Sequence, residues 1–419
     1  MRRFAFRRSP ARSLFAVTLA VYAIAYLIWV TGHHDSYIAL LRLWGIDVWH
    51  WPFLDLETML SWSDCRRLGV DVFAVNGCTT LGLPANYGPV LAHMPFTRHD
   101  TQWIGISQAV AFLACAAYAV QPRTRAEWVC ALLALLSSTT VFALERGNLD
   151  VIEFVLIAMG AMLAMRTGWM RYVSYALYFA GGVLKFYPFA LFLQVVREKP
   201  KAAIAAAAIG VTAIGLYAWT IAPEISRIMV QLPGFSYNDD TFGGRVLPYG
   251  LADTFALPAG YGIAGLAVLT TASLLAAAVF ATMLLKARPR LSWSNRRLQY
   301  LTAGSIVMAA CFLLQTNYHY RAIFLLFMLP GLFDLRNAIR PNHLRTLLNL
   351  VLWGTVFCLW GEFIRRLLSR LWQGAEVPSL IFFVVREAAW WGVMTAAFAV
   401  IIIFLRTAPG LRGGRKRPA

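Results

Sequence analysis

The chain has 419 residues, of which 59% are hydrophobic and only 14% charged, with a formal net charge of +18. A soluble domain carries roughly a quarter charged residues, so a fully water-covered surface is excluded, and the mean hydropathy of +0.60 agrees. Nucleic acid is not the expected partner of this positive charge: the basic residues fall in short clusters between apolar runs, where topogenic charges belong.

Apolar runs of about 17–25 residues recur along the chain and are continuous rather than alternating. They predict an all-α polytopic membrane protein rather than a barrel. The first run, 14–30, follows five arginines up to Arg12 and is followed by His33, His34 and Asp35. It is longer than a signal-peptide core and lacks a small-residue cleavage motif, so an uncleaved transmembrane helix is expected, with its N-terminus in the cytoplasm. Residues 31–101 then form a long, aromatic first periplasmic loop with seven acidic residues between Asp35 and Asp100. Further spans are expected at 103–120, 127–144 and 149–165. The basic turns Arg123–Arg125 and Arg166–Arg171 between them are cytoplasmic.

The run 172–196 breaks the alternation, because a single span would leave the basic stretch Arg197–Lys201 outside. Pro188 weakens any helix through its middle, and the residue before a proline is pushed out of the helical region. A re-entrant hairpin with Lys185 near its tip is therefore predicted. Broken helices are tolerated only against protein or a wet cavity. The remaining spans are expected at 202–221, 261–286, 299–315, 322–335, 347–362 and 380–405. Residues 223–260 form a second periplasmic loop, residues 363–379 lie outside, and the tail Arg412–Arg417 is basic and cytoplasmic. The sum is about ten spans plus the hairpin in a single domain, 1–419, placed in the inner membrane. Fixed-period repeats are not detectable.

Four of the six cysteines (Cys115, Cys130, Cys311 and Cys358) fall inside apolar runs and suit core packing. Cys65 and Cys78 share the first loop and can pair if that loop is periplasmic. The spacings contain no CxxC or Cys/His metal pattern.

This topology brings several polar clusters to the outer face. Asp55 lies among apolar neighbours in Trp51-Pro52-Phe53-Leu54-Asp55-Leu56-Glu57, and a carboxylate there suits a general base. Glu57 and Asp64 compete for that role, and a helix-capping acid is the plain alternative. In the turn Glu145-Arg146-Gly147-Asn148-Leu149-Asp150, Gly147 is expected to turn the chain, Asn148 to cap the next helix and Asp150 to suit its positive end. Arg146, Arg245 and Arg321 are candidate phosphate ligands, or else partners of nearby acids. Lys185, an ionisable group at membrane depth, is functional by default; it faces a phosphate, or it pairs with Asp150 or Glu153. Tyr187 points to the same face. His319 is a candidate hydrogen-bond partner of phosphate or sugar, or an aromatic-packed structural residue. Trp44, Trp49 and Trp51 are interface anchors or sugar-stacking platforms.

Phe53-Leu54-Asp55-Leu56, Gly69-Val70-Asp71-Val72-Phe73 and Asn86-Tyr87-Gly88-Pro89 are followed in order by Glu145–Asp150, Leu184-Lys185-Phe186-Tyr187-Pro188 and Tyr318-His319-Tyr320-Arg321. This series, over residues 50 to 335, resembles the glycosyltransferase family 87-like membrane proteins. The resemblance implies the GT-C fold, a polyprenyl-phosphate sugar donor (mannose being commonest), a glycan or lipid acceptor, inversion at the sugar carbon, and Asp55 as catalytic base. It implies no metal and no cofactor. Two positions depart from the family pattern: His319 stands where an Asp is more usual, and Gly88 where Pro is common. The rival functions are a lipid-carrier or solute transporter, for which broken helices are also typical, and a glycan polymerase or ligase.

Overall fold

The computed structural model describes residues 10–408 apart from 47, 49–50, 75–76, 80, 232–239, 288–294, 315–316 and 373–375. Arg2, Arg3, Arg7, Arg8, Trp49 and the basic tail lie outside the described residues, as do parts of the second outer loop and of the 286–297 connection.

The chain is helical and polytopic. Helix α1 (Pro10–Val30) leads into α2 (His34–Leu43) and α3 (Leu54–Arg67), which belong to the first long loop. Then come α4 (Thr101–Val120), α5 (Arg125–Leu135), α6 (Ser138–Arg146), α7 (Leu149–Leu163) and α8 (Met170–Lys185). A 3-10 segment, Tyr187–Arg197, precedes α9 (Pro200–Thr220) and α10 (Ala222–Gln231). Next are strand β1 (Thr241–Phe242), α11 (Val246–Thr254), α12 (Ala259–Lys286), α13 (Arg296–Leu314) and strand β2 (Asn317–Tyr318). A second 3-10 segment, His319–Phe327, runs into α14 (Met328–Ala338), and α15 (Asn342–Leu371) and α16 (Glu376–Thr407) complete the fold. The two short strands pair antiparallel, Thr241 opposite Tyr318 and Phe242 opposite Asn317, tying the second long loop to the turn after α13.

Among the described residues, seven helices are long and apolar enough to cross a bilayer: α1, α4, α9, α12, α13, α15 and α16. The span expected at 127–144 is instead two helices, α5 and α6, bent by 46°. The run Ser137-Ser138-Thr139-Thr140 supplies the reason. Ser137 Oγ donates to the Ala134 carbonyl and accepts from the Thr140 amide, so a side chain takes over backbone hydrogen bonding at the break.

The sequence-predicted break after Lys185 is present, at Phe186, whose φ of 34° interrupts α8. The chain then doubles back. Arg171 pairs with Glu198 at 2.9 Å and Tyr175 donates to Glu198 at 3.3 Å, so both ends of the segment meet while Lys185 sits at its tip. A second difference lies in α15, which continues nine residues past the expected limit at 362. Its thirty residues reach about 45 Å at 1.5 Å per residue, beyond a hydrocarbon core of about 30 Å. Arg365 and Arg366 mark a helix end in the sequence, but Glu362 and Asp240 neutralise them, and the helix runs on.

Helix α13 is the packing centre, buried over most of its length by α14, α16, α7 and the 3-10 segments. By contrast, α9 and α12 bury little and turn Ile204, Ile209, Val211, Ile263, Val268 and Val279 outward. Apolar faces of that kind suit lipid. The first long loop has its own core, with Phe53, Leu56, Leu60, Trp62, Val72 and Leu91 packed against Leu149, and Cys65 and Cys78 are disulfide-bonded.

Candidate functional site

The first turn of α3 is docked on the turn between α6 and α7. The Phe53 amide donates to the Glu145 carbonyl at 2.6 Å. Gly147 has a φ of 59°, and a Cβ there would lie 3.0 Å from Leu56 and 3.1 Å from Phe53. Only glycine meets both the left-handed turn and this close approach without strain. The docking brings Asp55, two residues into α3, over the last residue of α6 and the cap of α7.

Arg146 Nε donates to Asp55 Oδ1 at 2.9 Å and its Nη2 makes an ion-pair contact with the same oxygen at 2.6 Å, while Asn148 Nδ2 donates to Oδ2 at 2.7 Å. A carboxylate offers about four lone-pair positions. Three are filled here, so one remains open. Asp55 also sits in the first turn of α3, at the positive end of that helix. The competing acids are engaged elsewhere: Glu57 accepts from the Trp51 indole, and Asp64 accepts from the Arg98 amide at 3.0 Å and lies 3.8 Å from Arg67.

Asn148 caps α7 as its sequence position suggests, its Oδ1 accepting from the Asp150 amide at 3.1 Å. The same oxygen accepts from Lys185 Nζ at 3.0 Å. Lys185 also pairs with Asp150 at 2.8 Å, and its ammonium lies 4.7 Å from the Tyr87 ring centre and 5.6 Å from that of Tyr320. Of the two readings the sequence leaves open for Lys185, pairing with Asp150 is the contact the fold makes. The Tyr187 hydroxyl donates to the other oxygen of Asp150. At Gly88 a Cβ would lie 2.3 Å from the Val183 carbonyl, so glycine lets the first loop bring Tyr87 onto the hairpin tip.

Arg321 reaches this group from the other side. Its Nε lies 3.8 Å from Asp150 and its guanidinium 5.2 Å from the Tyr187 ring centre. Among the described residues the Arg321 guanidinium makes no hydrogen bond, although its side chain is only 15% exposed and Nε is buried without a partner. Every other cation of the cluster is satisfied. Tyr318 is nearby in β2; burial, then the Asp55 carboxylate, raise its phenol above the ordinary value, so it stays a neutral donor at physiological pH.

Two expected members lie elsewhere. Arg245 is exposed just before α11, with no contact to the Asp55 cluster among the described residues. His319 stacks on Phe142 at 5.2 Å and sits against the Asp240 carbonyl, its amide donating at 3.1 Å. There it borders a second charged cluster. Arg365 and Arg366 hold Asp240 at 3.0 and 2.9 Å, Arg365 also holds Glu362 at 2.6 Å, and Arg386 bridges Glu362 at 2.5 Å and Glu387 at 2.8 Å. Asp240, His319 and Glu362 are metal-ligand types with ligand atoms within 4.8 Å of one another. A divalent cation placed there would face three guanidinium groups already bound to those carboxylates, so the cluster is an ion-pair lattice.

Sequence reasoning gave no site role to Asp150, Tyr87 or Tyr320. All three lie inside motifs it had singled out, and the aromatic residues flanking a buried lysine are the signal that was available. No family model, curated protein or solved structure matches the chain.

Proposed function

We propose that this protein is a GT-C-type membrane glycosyltransferase of the inner membrane. It moves a sugar, mannose first among the candidates, from a polyprenyl-phosphate donor to a glycan or lipid acceptor at the periplasmic face. The observation that carries this reading is the pairing of an oriented carboxylate with a cation that makes no hydrogen bond: Asp55 retains one open lone-pair position, and among the described residues the Arg321 guanidinium donates to none in the same cluster. The series of motifs from Phe53 to Arg321 supports it independently.

In this mechanism the acceptor hydroxyl gives its proton to Asp55 as its oxygen bonds to the anomeric carbon. The bond from that carbon to the phosphate oxygen breaks, and its electron pair leaves with the polyprenyl phosphate. Attack opposite the leaving group inverts the sugar carbon. Arg321 donates to the phosphate oxygens as their charge grows, the kind of preorganised stabilisation that lowers barriers most. Arg146 and Asn148 hold Asp55 aimed.

A transporter is the rival reading, favoured by the break at Phe186 beside a buried ion pair. The deciding experiment gives purified full-length protein a panel of radiolabelled polyprenyl-phosphate sugars with envelope glycan and lipid acceptors. Transfer of one sugar, abolished by Asp55→Asn in protein that inserts normally, supports the enzyme. Full transfer by Asp55→Asn removes the base assignment, and solute flux in vesicles without transfer favours the transporter.

A further inference from the structure

Asn148 does more than a helix cap requires. Capping needs only an acceptor, and Ser, Thr or Asp would serve as well. Asn148 uses its carbonyl oxygen for the cap and also turns its amide nitrogen to Asp55 Oδ2 at 2.7 Å. Among the usual capping side chains, only asparagine accepts at one end and donates at the other through a single rigid plane.

The direction of that plane is set from below. Lys185 Nζ donates to Asn148 Oδ1 at 3.0 Å, alongside the Asp150 amide at 3.1 Å. Rotating the amide by 180° would set its NH2 group against an ammonium and an N–H, and its oxygen against the Asp55 carboxylate. All three hydrogen bonds would be lost and two repulsions made. Asn148 and Asp150 are fully buried and Lys185 is 4% exposed, so water cannot take over for any missing partner.

Lys185 is also fully occupied. Two N–H groups go to Asn148 and Asp150, and the ammonium lies close to the Tyr87 ring. It has no free direction toward an incoming phosphate, in contrast to Arg321.

We infer that Lys185 is a positioning residue that acts on Asp55 through Asn148, fixing the amide that aims the catalytic carboxylate, and that it is not a ligand of the donor phosphate. The inference rests on the glycosyl-transfer reading for its effect on rate, but the side-chain arrangement it asserts does not.

Two measurements decide it. The first is kinetic, on full-length protein with the polyprenyl-phosphate sugar it transfers. Asn148→Ser keeps the cap and removes the amide; it is expected to lower kcat at least tenfold, with the donor KM changed less than about twofold. Lys185→Met combined with Asp150→Asn, which removes both charges of the pair, is expected to lower kcat similarly. Added to Asn148→Ser, it should cost no more than about twofold further, because residues acting through one link are not additive. Full multiplication of the two losses, or a tenfold rise in donor KM from the Lys185 change, overturns the inference.

The second measurement needs no turnover. A cryo-EM structure of the Lys185→Met/Asp150→Asn protein is expected to show the Asp55 carboxylate turned away from Asn148, and unchanged Asp55 and Asn148 overturn the inference. Binding of undecaprenyl phosphate to the same protein should stay within twofold of the parent, while Arg321→Met weakens it at least tenfold. Loss of binding in the Lys185 variant would assign Lys185 to the phosphate. If the parent binds no polyprenyl phosphate, the glycosyl-transfer reading fails, and the cryo-EM comparison still tests the Lys185–Asn148–Asp55 link.

Discussion

Two clusters of buried charge adjoin the segment Asn317–Arg321, and they differ in how their charges are partnered. In the Asp240 cluster each of Asp240, Glu362 and Glu387 is held by Arg365, Arg366 or Arg386 at 2.5 to 3.0 Å, and long helices supply most of the partners. In the Asp55 cluster the parts come from a helix start, a helix cap, a hairpin tip and a turn, and Arg321 is left with no hydrogen bond. Burying charge is costly in either place. Around Asp240 the ion pairs offset that cost within the protein, although Glu387 Oε2 and His319 Nε2 stay without a hydrogen bond among the described residues; around Asp55 an entire guanidinium, that of Arg321, is left without one. Buried charges are therefore not equivalent signs of function, and a whole charged side chain without hydrogen bonds is the better marker.

Breaking each cluster should give opposite phenotypes. Asp55→Asn is expected to lower transfer by about 10²–10⁴-fold, the range for removing a general base, with normal thermal stability, checked by labelled-sugar transfer and a melting scan. Arg321→Met comes next, with a loss of about 10²–10³-fold in kcat, as for removal of one preorganised donor. In the other cluster, Arg386→Met leaves Glu387 buried without its partner and takes from Glu362 one of its two arginines, and should destabilise the fold by about 3–5 kcal/mol, seen as a lowered melting temperature. Transfer per folded molecule should hold steady. A rate loss from Arg386→Met without any loss of stability would erase the contrast between the clusters. The smallest effect is expected from Arg245→Ala: Arg245 is exposed and touches neither cluster among the described residues, so stability should move by less than about 0.5 kcal/mol and transfer by less than about threefold.

The helical membrane character was legible because a bilayer tolerates few alternatives, and the hairpin break was legible because Pro188 and the charged residues after it left no other trace. The turn from Arg146 to Asp150 was also readable, since a glycine, a cap and an acid follow one another where local rules suffice. What could not be read was long-range pairing. That Arg365 and Arg366 would be neutralised by Asp240, some 125 positions earlier, is invisible to any window along the chain, so α15 seemed to end at 362. His319 and Arg321 are two residues apart, yet they serve different clusters. In the 3-10 geometry that begins at His319, with about three residues per turn, side chains two apart diverge widely. The break between α5 and α6 was written in four consecutive hydroxyl residues, a local signal outweighed by the apolar residues on either side.

The Cys65–Cys78 bond has a consequence for biogenesis. It closes a loop of thirteen residues, worth on the order of 3 kcal/mol in the chain-entropy account, within the same loop that carries Asp55. Such a bond persists only in an oxidising compartment. A chain freshly threaded into the membrane would therefore hold its helices before its site was finished, and oxidation would complete the seat of the carboxylate. Cells lacking thiol oxidase activity should accumulate inserted protein whose first loop is cut readily by added protease.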